Sequence, residues 1–210
     1  MEILLATKNK NKFIELKNIF DRSNSKLELL FYQDLIEVEE DKETIFDNAK
    51  KKAIEVYKEY QKPVISDDSG LFVDSLDGEP GVKSARYAGE QATDQDNIEK
   101  LLGELENKKN RKASFKTVLF FYDGEKEITT EGILEGEITF EPRGENGFGY
   151  DPVFETQPPI YGRPVTVEQA LEELMPKTLA ELSLNQKTRI SHRKIATEKM
   201  VTLLSETFKE

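Results

Sequence analysis

The chain has 210 residues, 37% hydrophobic and 34% charged, with no cysteine; that fits one large domain or two lobes around one cleft and is ample for a core. The missing thiols exclude disulfides, thiolate metal sites and a cysteine nucleophile, and point to a cytoplasmic setting. With 30 basic against 41 acidic residues, the net charge is −11, a field that repels nucleic acid and argues against a DNA or RNA binder. Met1–Ala6 turns polar too soon for a signal peptide, and no run is long enough to span a membrane, so no membrane partner is expected.

Ile3–Ala6 reads as a first strand, and Asn9–Phe20 as a helix with Phe13, Leu16 and Phe20 on one face. Leu27–Phe31 reads as a second strand. Thr44–Tyr60 reads as a helix entered through Glu39, Glu40 and Asp41, and Val64–Ser66 as a third strand. Asp94–Leu105 reads as a helix. Phe115–Tyr122 and Glu127–Thr139 flank Asp123-Gly124, a strong hairpin signal. Val153-Phe154 is a short buried piece, and Val165–Leu174 and Ser191–Phe208 read as helices. The order β-α-β-α-β, then hairpin strands, then helices, predicts an α/β protein with a mixed sheet.

Four segments carry candidate chemistry. Asp67-Asp68-Ser69-Gly70 follows the third strand directly, so two carboxylates are expected at a strand tip, where paired acids hold a metal or activate water; Asp, Ser and Gly also make a plain capping turn. The segment Thr7-Lys8-Asn9-Lys10-Asn11-Lys12 joins the first strand to a helix N-terminus, whose unpaired N–H groups form an anion site. Lys12 shares an i, i+4, i+7 stripe with Leu16 and Ile19. Lys52 fills a stripe of Ile45, Ala49 and Val56, whereas Lys50 and Lys51 lie off it and read as solvated. A lysine on an apolar stripe either snorkels or meets an anion. In Gly147-Phe148-Gly149-Tyr150-Asp151, glycines on both sides of Phe148 let a flat ligand approach while the ring stacks; a tight turn with a core phenylalanine has the same pattern. His192, the only histidine in the chain, stands beside Arg193 at a helix start, where it is either structural or reads a base edge.

Taken in order, these segments resemble the inosine triphosphate pyrophosphatase family, also called XTP/dITP diphosphatases. The resemblance rests on Ala6-Thr7-Lys8-Asn9 with Lys12, Phe46-Asp47-Asn48-Ala49 with Lys52, and Ser66-Asp67-Asp68-Ser69-Gly70. It continues through Gly78-Glu79-Pro80-Gly81-Val82, Ser84-Ala85-Arg86-Tyr87, Gly147-Phe148-Gly149-Tyr150-Asp151-Pro152, Lys177-Thr178 with Ala180-Glu181-Leu182, and Ser191-His192-Arg193. Each motif alone is weak, but together in register they are specific.

The resemblance implies one domain over 1–210 with two lobes, a long mixed sheet lining a cleft between them, and commonly a homodimer. It implies magnesium-dependent hydrolysis of ITP, dITP and XTP to the monophosphate and pyrophosphate. Asp68 matches the general base, and Glu40 with Asp68 the metal positions. Thr7, Lys8, Asn9, Lys10, Asn11, Lys12, Lys52 and Ser69 match phosphate and sugar contacts. Phe148, Gly149, Tyr150, Asp151, Lys177, His192 and Arg193 match base recognition. The chain departs from the family pattern at Lys8 and Lys194 and in a longer stretch at 155–176, read as an insertion. A module that senses purine triphosphates without cleaving them is the alternative; the acids Glu40, Asp67 and Asp68 weigh against it, since a sensor does not need them.

Overall fold

The computed structural model describes residues 1–23, 26–156 and 175–208, and within them not the side chain of Asn11. The helix expected over 165–174 lies outside the described residues, as does the insertion expected at 155–176 apart from its two ends. In chain order the elements are β1 (Glu2–Ala6), α1 (Lys10–Arg22), β2 (Glu28–Leu30), α2 (Ile45–Tyr60), β3 (Val64–Val73), β4 (Pro80–Gly81) and α3 (Asp94–Glu104). They continue with β5 (Lys112–Tyr122), β6 (Glu127–Ile138), β7 (Phe154–Thr156), β8 (Lys177–Thr178), α4 (Leu184–Ile190) and α5 (His192–Thr207). The strands form one sheet in the order β2-β1-β3-β5-β6-β7-β8, with β4 on β3. The sheet is mixed, as expected: β1 runs parallel to β2 and β3, while β4, β7 and β8 pair antiparallel with their neighbours.

One expectation fails in an instructive way. Asp67 and Asp68 do not cap the tip of β3, because the strand runs on to Val73 and both acids lie in its interior. Alternation past Ser66 is hidden by the polar run, but antiparallel pairing of Leu71 with Gly81 and Phe72 with Pro80 keeps the chain extended. The end that matters belongs to the neighbouring strand. Register pairs Leu4 with Val64 and Ala6 with Ser66, and β1 then stops, so the acids emerge beside the vacated ladder where the chain turns into α1.

The chain divides into two compact units, through both of which β3, β5 and β6 pass. The first comprises Met1–Ser69, Lys116–Ile133 and His192–Glu210. Its core packs Ile3, Leu5 and Ile65 against Leu16 and Phe20 of α1 and Met200 and Leu204 of α5, each contributing about 2 kcal/mol of burial. Helix α2 begins where Thr44, in extended conformation, accepts a hydrogen bond from the Asp47 N–H at 3.0 Å, and ends at Gln61 in the left-handed conformation. The second unit comprises Gly70–Phe115 and Leu134–Ser191. Its core joins Leu71 and Val73 to Leu101 of α3, to Leu105 at that helix's C-cap, and to Val153, Phe154 and Leu179. The Thr93–Asp96 capping box starts α3. No helix among the described residues is long and apolar enough to cross a membrane.

Candidate active site

The first unit assembles its candidate residues around the two aspartates. Ser66 ties β3 to α2 by donating its hydroxyl to the Ala49 carbonyl at 2.5 Å, which fixes the strand immediately before Asp67. Asp67 is 1% exposed, and Lys12 Nζ lies 2.7 Å from its Oδ2. Burial opposes ionisation of Asp67, but Lys12, Lys52 and Arg193 outweigh it and hold the carboxyl below its ordinary range. Asp68 behaves oppositely. Burial, reinforced by the Glu40 charge, pushes it up to about 6, against the pull of Lys52 and Asn48. Its Oδ1 accepts the Ser69 N–H at 2.8 Å, while its Oδ2 is buried without a hydrogen bond. Two adjacent carboxylates thus differ in proton affinity because one faces cations and the other faces an acid.

The two lysines singled out on apolar stripes both reach carboxylates. Lys52 forms an ion pair with Glu40, and although burial disfavours its ammonium, Asp67, Glu40 and Asp68 raise its pKa. Lys51 is not merely solvated, as its off-stripe position suggested: its Nζ donates to the Glu39 carbonyl at 2.8 Å and to Asp41 Oδ1 at 2.9 Å, bracketing Glu40. Lys50 pairs with Glu127 at 2.7 Å. Asn9 caps α1, its Oδ1 accepting the Lys12 N–H at 3.2 Å, and Thr7 Oγ1 accepts the Asn9 N–H at 3.2 Å. Lys8 and Lys10 are exposed, Lys8 3.5 Å from Glu37; the backbone of Asn11 lies in the first turn of α1, its side chain outside the described residues. Ser69 shares a 2.7 Å hydroxyl contact with Thr117. Arg193, buried at the start of α5, lies 3.3 Å from the equally buried Glu15 of α1 and adds positive charge near Asp67. His192 is buried beside it.

In the second unit, Phe148 is 37% exposed and Asp151 4% exposed. Asp151 accepts the Phe148 N–H at 2.9 Å and forms an ion pair with Lys187, whose Nζ also stands 4.7 Å from the Phe148 ring centroid. Tyr150 is buried, its hydroxyl donating to the Ser84 carbonyl at 2.8 Å, so it braces the segment from below. Lys177 lies in β8, its backbone in register with Thr156 of β7; the lysine that joins Phe148 and Asp151 is Lys187. Sequence reading missed it because α4 was not recognised. The signal was present in Ser183 and Gln186, a capping box that starts a helix and puts Lys187 one turn before Ser191.

A sequence profile of the Ham1 family matches residues 3–203. The chain belongs to the Ham1 family. It is similar to the dITP/XTP pyrophosphatase of Flavobacterium johnsoniae, 41% identical over 207 residues that cover 99% of this chain and 100% of that protein. The dITP/XTP pyrophosphatase of Bacillus licheniformis is 44% identical over 209 residues, with 98% of each chain covered. Among solved structures, the Ham1 protein of Staphylococcus aureus matches with a TM-score of 0.81 at 38% identity, covering 99% of this chain and 100% of that one. The family resemblance read from the motifs is therefore borne out, and with it the mixed α/β fold.

In this Ham1 chain the seat of Ser191-His192-Arg193 depends on a glycine that no motif flags. A Cβ at Gly132 of β6 would collide with the His192 carbonyl oxygen and stand 2.7 Å from the Ala196 N–H. Both are helix backbone, which cannot swing aside as a side chain can, and Thr130 on the same strand fastens the helix by donating to the Ala196 carbonyl at 2.8 Å. Gly132→Ala should force α5 off the sheet at a cost of roughly 2 kcal/mol. Thermal unfolding should register a fall of roughly 4–8 °C for a chain of this size; an unchanged melting temperature would show that the close approach is relaxed in solution.

Proposed function

We propose that the protein hydrolyses the deaminated purine nucleoside triphosphates ITP, dITP and XTP to the monophosphate and pyrophosphate, clearing them from the nucleotide pool. The observation that carries this reading is the divergence of Asp67 and Asp68 inside β3, one ionised among cations and the other raised to about 6. The similarity to dITP/XTP pyrophosphatases supports it.

The chemistry follows from the charges. Cleavage between the α and β phosphates needs an aligned water, neutralised phosphate oxygens and a stabilised leaving group. Asp68 takes the proton of the water that attacks the α phosphorus; an acid held near 6 is ionised at neutral pH and still basic enough for the task. As the new P–O bond forms, the α–β bridging bond breaks and its electron pair leaves with pyrophosphate. Lys12 and Lys52 neutralise the triphosphate, with Thr7 to Asn11 and Ser69 completing the phosphate and sugar contacts. Asp67 keeps Lys12 aimed along β3.

Magnesium fits the acids present. Glu40 and Asp68 are hard oxygen donors that sense each other's charge, and Asp68 Oδ2 is a buried acceptor without a hydrogen bond. Among the described residues no group of three or more acids or histidines gathers, which suits an ion that takes few protein ligands and completes its shell with phosphate and water. When bound, it supplies charge neutralisation at the phosphates and lowers the pKa of water.

Phe148 stacks on the purine, Gly149, Tyr150 and Asp151 shape its surroundings, and Lys177 and Lys187 supply donors. Arg193 and His192 keep the base-recognition roles that the family resemblance implies. Lysine and arginine only donate, so they favour a 6-oxo group and leave the adenine amino group unpaired. The working state proposed is a cytoplasmic homodimer, which light scattering on the purified protein would check. Incubation with ITP, XTP, GTP and ATP plus magnesium tests the function: pyrophosphate should appear from ITP and XTP with kcat/KM about a hundredfold above ATP. No pyrophosphate from any of them would overturn it, and tight ITP binding without turnover would make the chain a sensor.

A further inference from the structure

Residues 147–151 form a loop in which two of the five residues are glycine. Gly147 and Gly149 both sit at positive φ, 83° and 60°, and glycines lose more freedom on ordering than other residues. Gly147 is sterically required, since a Cβ there would strike the Asp151 carboxylate. Gly149 is different, with nothing within 4 Å of its would-be Cβ. Its neighbourhood is open, so packing does not fix its backbone.

A hydrogen bond does. Asp94 Oδ2 accepts the Gly149 N–H at 2.6 Å across 55 residues of sequence. Asp94 is the first residue of α3, and the cap of that helix is complete without it: Thr93 Oγ1 accepts the Asp96 N–H at 3.2 Å, and Asp96 Oδ2 accepts the Thr93 N–H at 2.8 Å. The next peptide N–H back, that of Phe148, is held by Asp151, and the next ring forward, that of Tyr150, by the Ser84 carbonyl. Three successive residues are thus pinned, and only the middle tie comes from an exposed carboxylate on another helix.

We propose that Asp94 is a positioning residue for purine binding: by gripping the Gly149 N–H it holds the Phe148 ring in its stacking position before the substrate arrives. The inference rests on the reading that Phe148 stacks on the base. A preordered platform lowers the entropy lost on binding, and the stacked base gains little further as the phosphate bond breaks. The contribution is therefore uniform across ground state and transition state and shows in KM.

Steady-state kinetics with ITP test this. Asp94→Ala should raise KM about tenfold with kcat within about twofold, the loss of one charge-assisted hydrogen bond. Asp94→Asn, which keeps an acceptor oxygen in place, should return KM to within about threefold of the parent. Asp96→Ala breaks the α3 cap without touching Gly149 and should leave KM unchanged, which separates a positioning role from a loss of helix stability. Phe148→Ala should raise KM, and Asp94→Ala added to it should raise it no further, because the ring being positioned is gone. An unchanged KM in Asp94→Ala beside a raised one in Phe148→Ala overturns the role of Asp94 alone. Equal effects of Asp94→Ala and Asp96→Ala, or independent multiplication with Phe148→Ala, overturn it as well. An unchanged KM in Phe148→Ala overturns the stacking reading and this inference with it.

Discussion

Asp68→Asn is expected to abolish turnover and, in metal-free protein at neutral pH, to make the fold more stable. Loss of a general base costs about 10²–10⁴ in rate. The stability gain follows from the same burial that makes Asp68 a base. Its carboxyl is pushed up to about 6 in the folded chain from an ordinary 3.8. Below pH 4 the group is protonated in both folded and unfolded chains and costs nothing. Between about 4 and 6 the folded chain binds the extra proton, so stability falls as pH rises, and above 6 the penalty is complete, on the order of 3 kcal/mol. Asparagine carries no charge but remains a buried polar group, so the recovery at pH 7.5 should be about 1–2 kcal/mol, or roughly 2–8 °C in melting temperature. Melts in chelator at pH 4.5, 5.5 and 7.5 should show the advantage over the parent growing with pH. A variant less stable than the parent at pH 7.5 would mean that Asp68 is not strained by burial, and a variant that kept full activity would mean that it is not the base.

That conflict between stability and function also explains which parts of the molecule were legible in the sequence. The α/β class and the hairpin at Asp123-Gly124 follow from periodicity and turn chemistry, which act locally. The stripes marked Lys12 and Lys52 as lysines that either snorkel or meet an anion, and the structure supplies the anions, Asp67 and Glu40. The extension of β3 past Ser66 was hidden because its interior is polar, and strand reading relies on apolar alternation. Lys51 was discounted by helix face alone, whereas its role comes from the Glu39–Asp41 loop folding back onto α2. Glu15 looks like any surface acid on α1 until α5 supplies Arg193 from 178 residues away. Gly132 and Lys187 depend on contacts of the same non-local kind.

Lys187→Met should be the most damaging single change in the second unit. Methionine keeps the length and apolar stem of the lysine, so packing survives and the missing charge is what is tested. It strips Asp151, 4% exposed, of its cation and leaves the Phe148 N–H as the group that still bonds it. Breaking a buried pair from one side costs about 3–5 kcal/mol, because the remaining charge is stranded out of water. For this chain that is roughly 6–20 °C of melting temperature. Adding Asp151→Asn should recover most of the loss, since a neutral amide retains an oxygen for the Phe148 N–H while dispensing with the need for a cation. The double variant should then fold nearly as well as the parent yet bind ITP poorly, for Lys187 no longer stands over the Phe148 ring or offers a donor to a 6-oxo purine. Stability and KM measured across the four members of this cycle separate the two duties of Lys187. If Asp151→Asn failed to rescue the fold, the pair would not be the reason for the loss; if it restored ITP affinity as well, Lys187 would serve the loop and not the base.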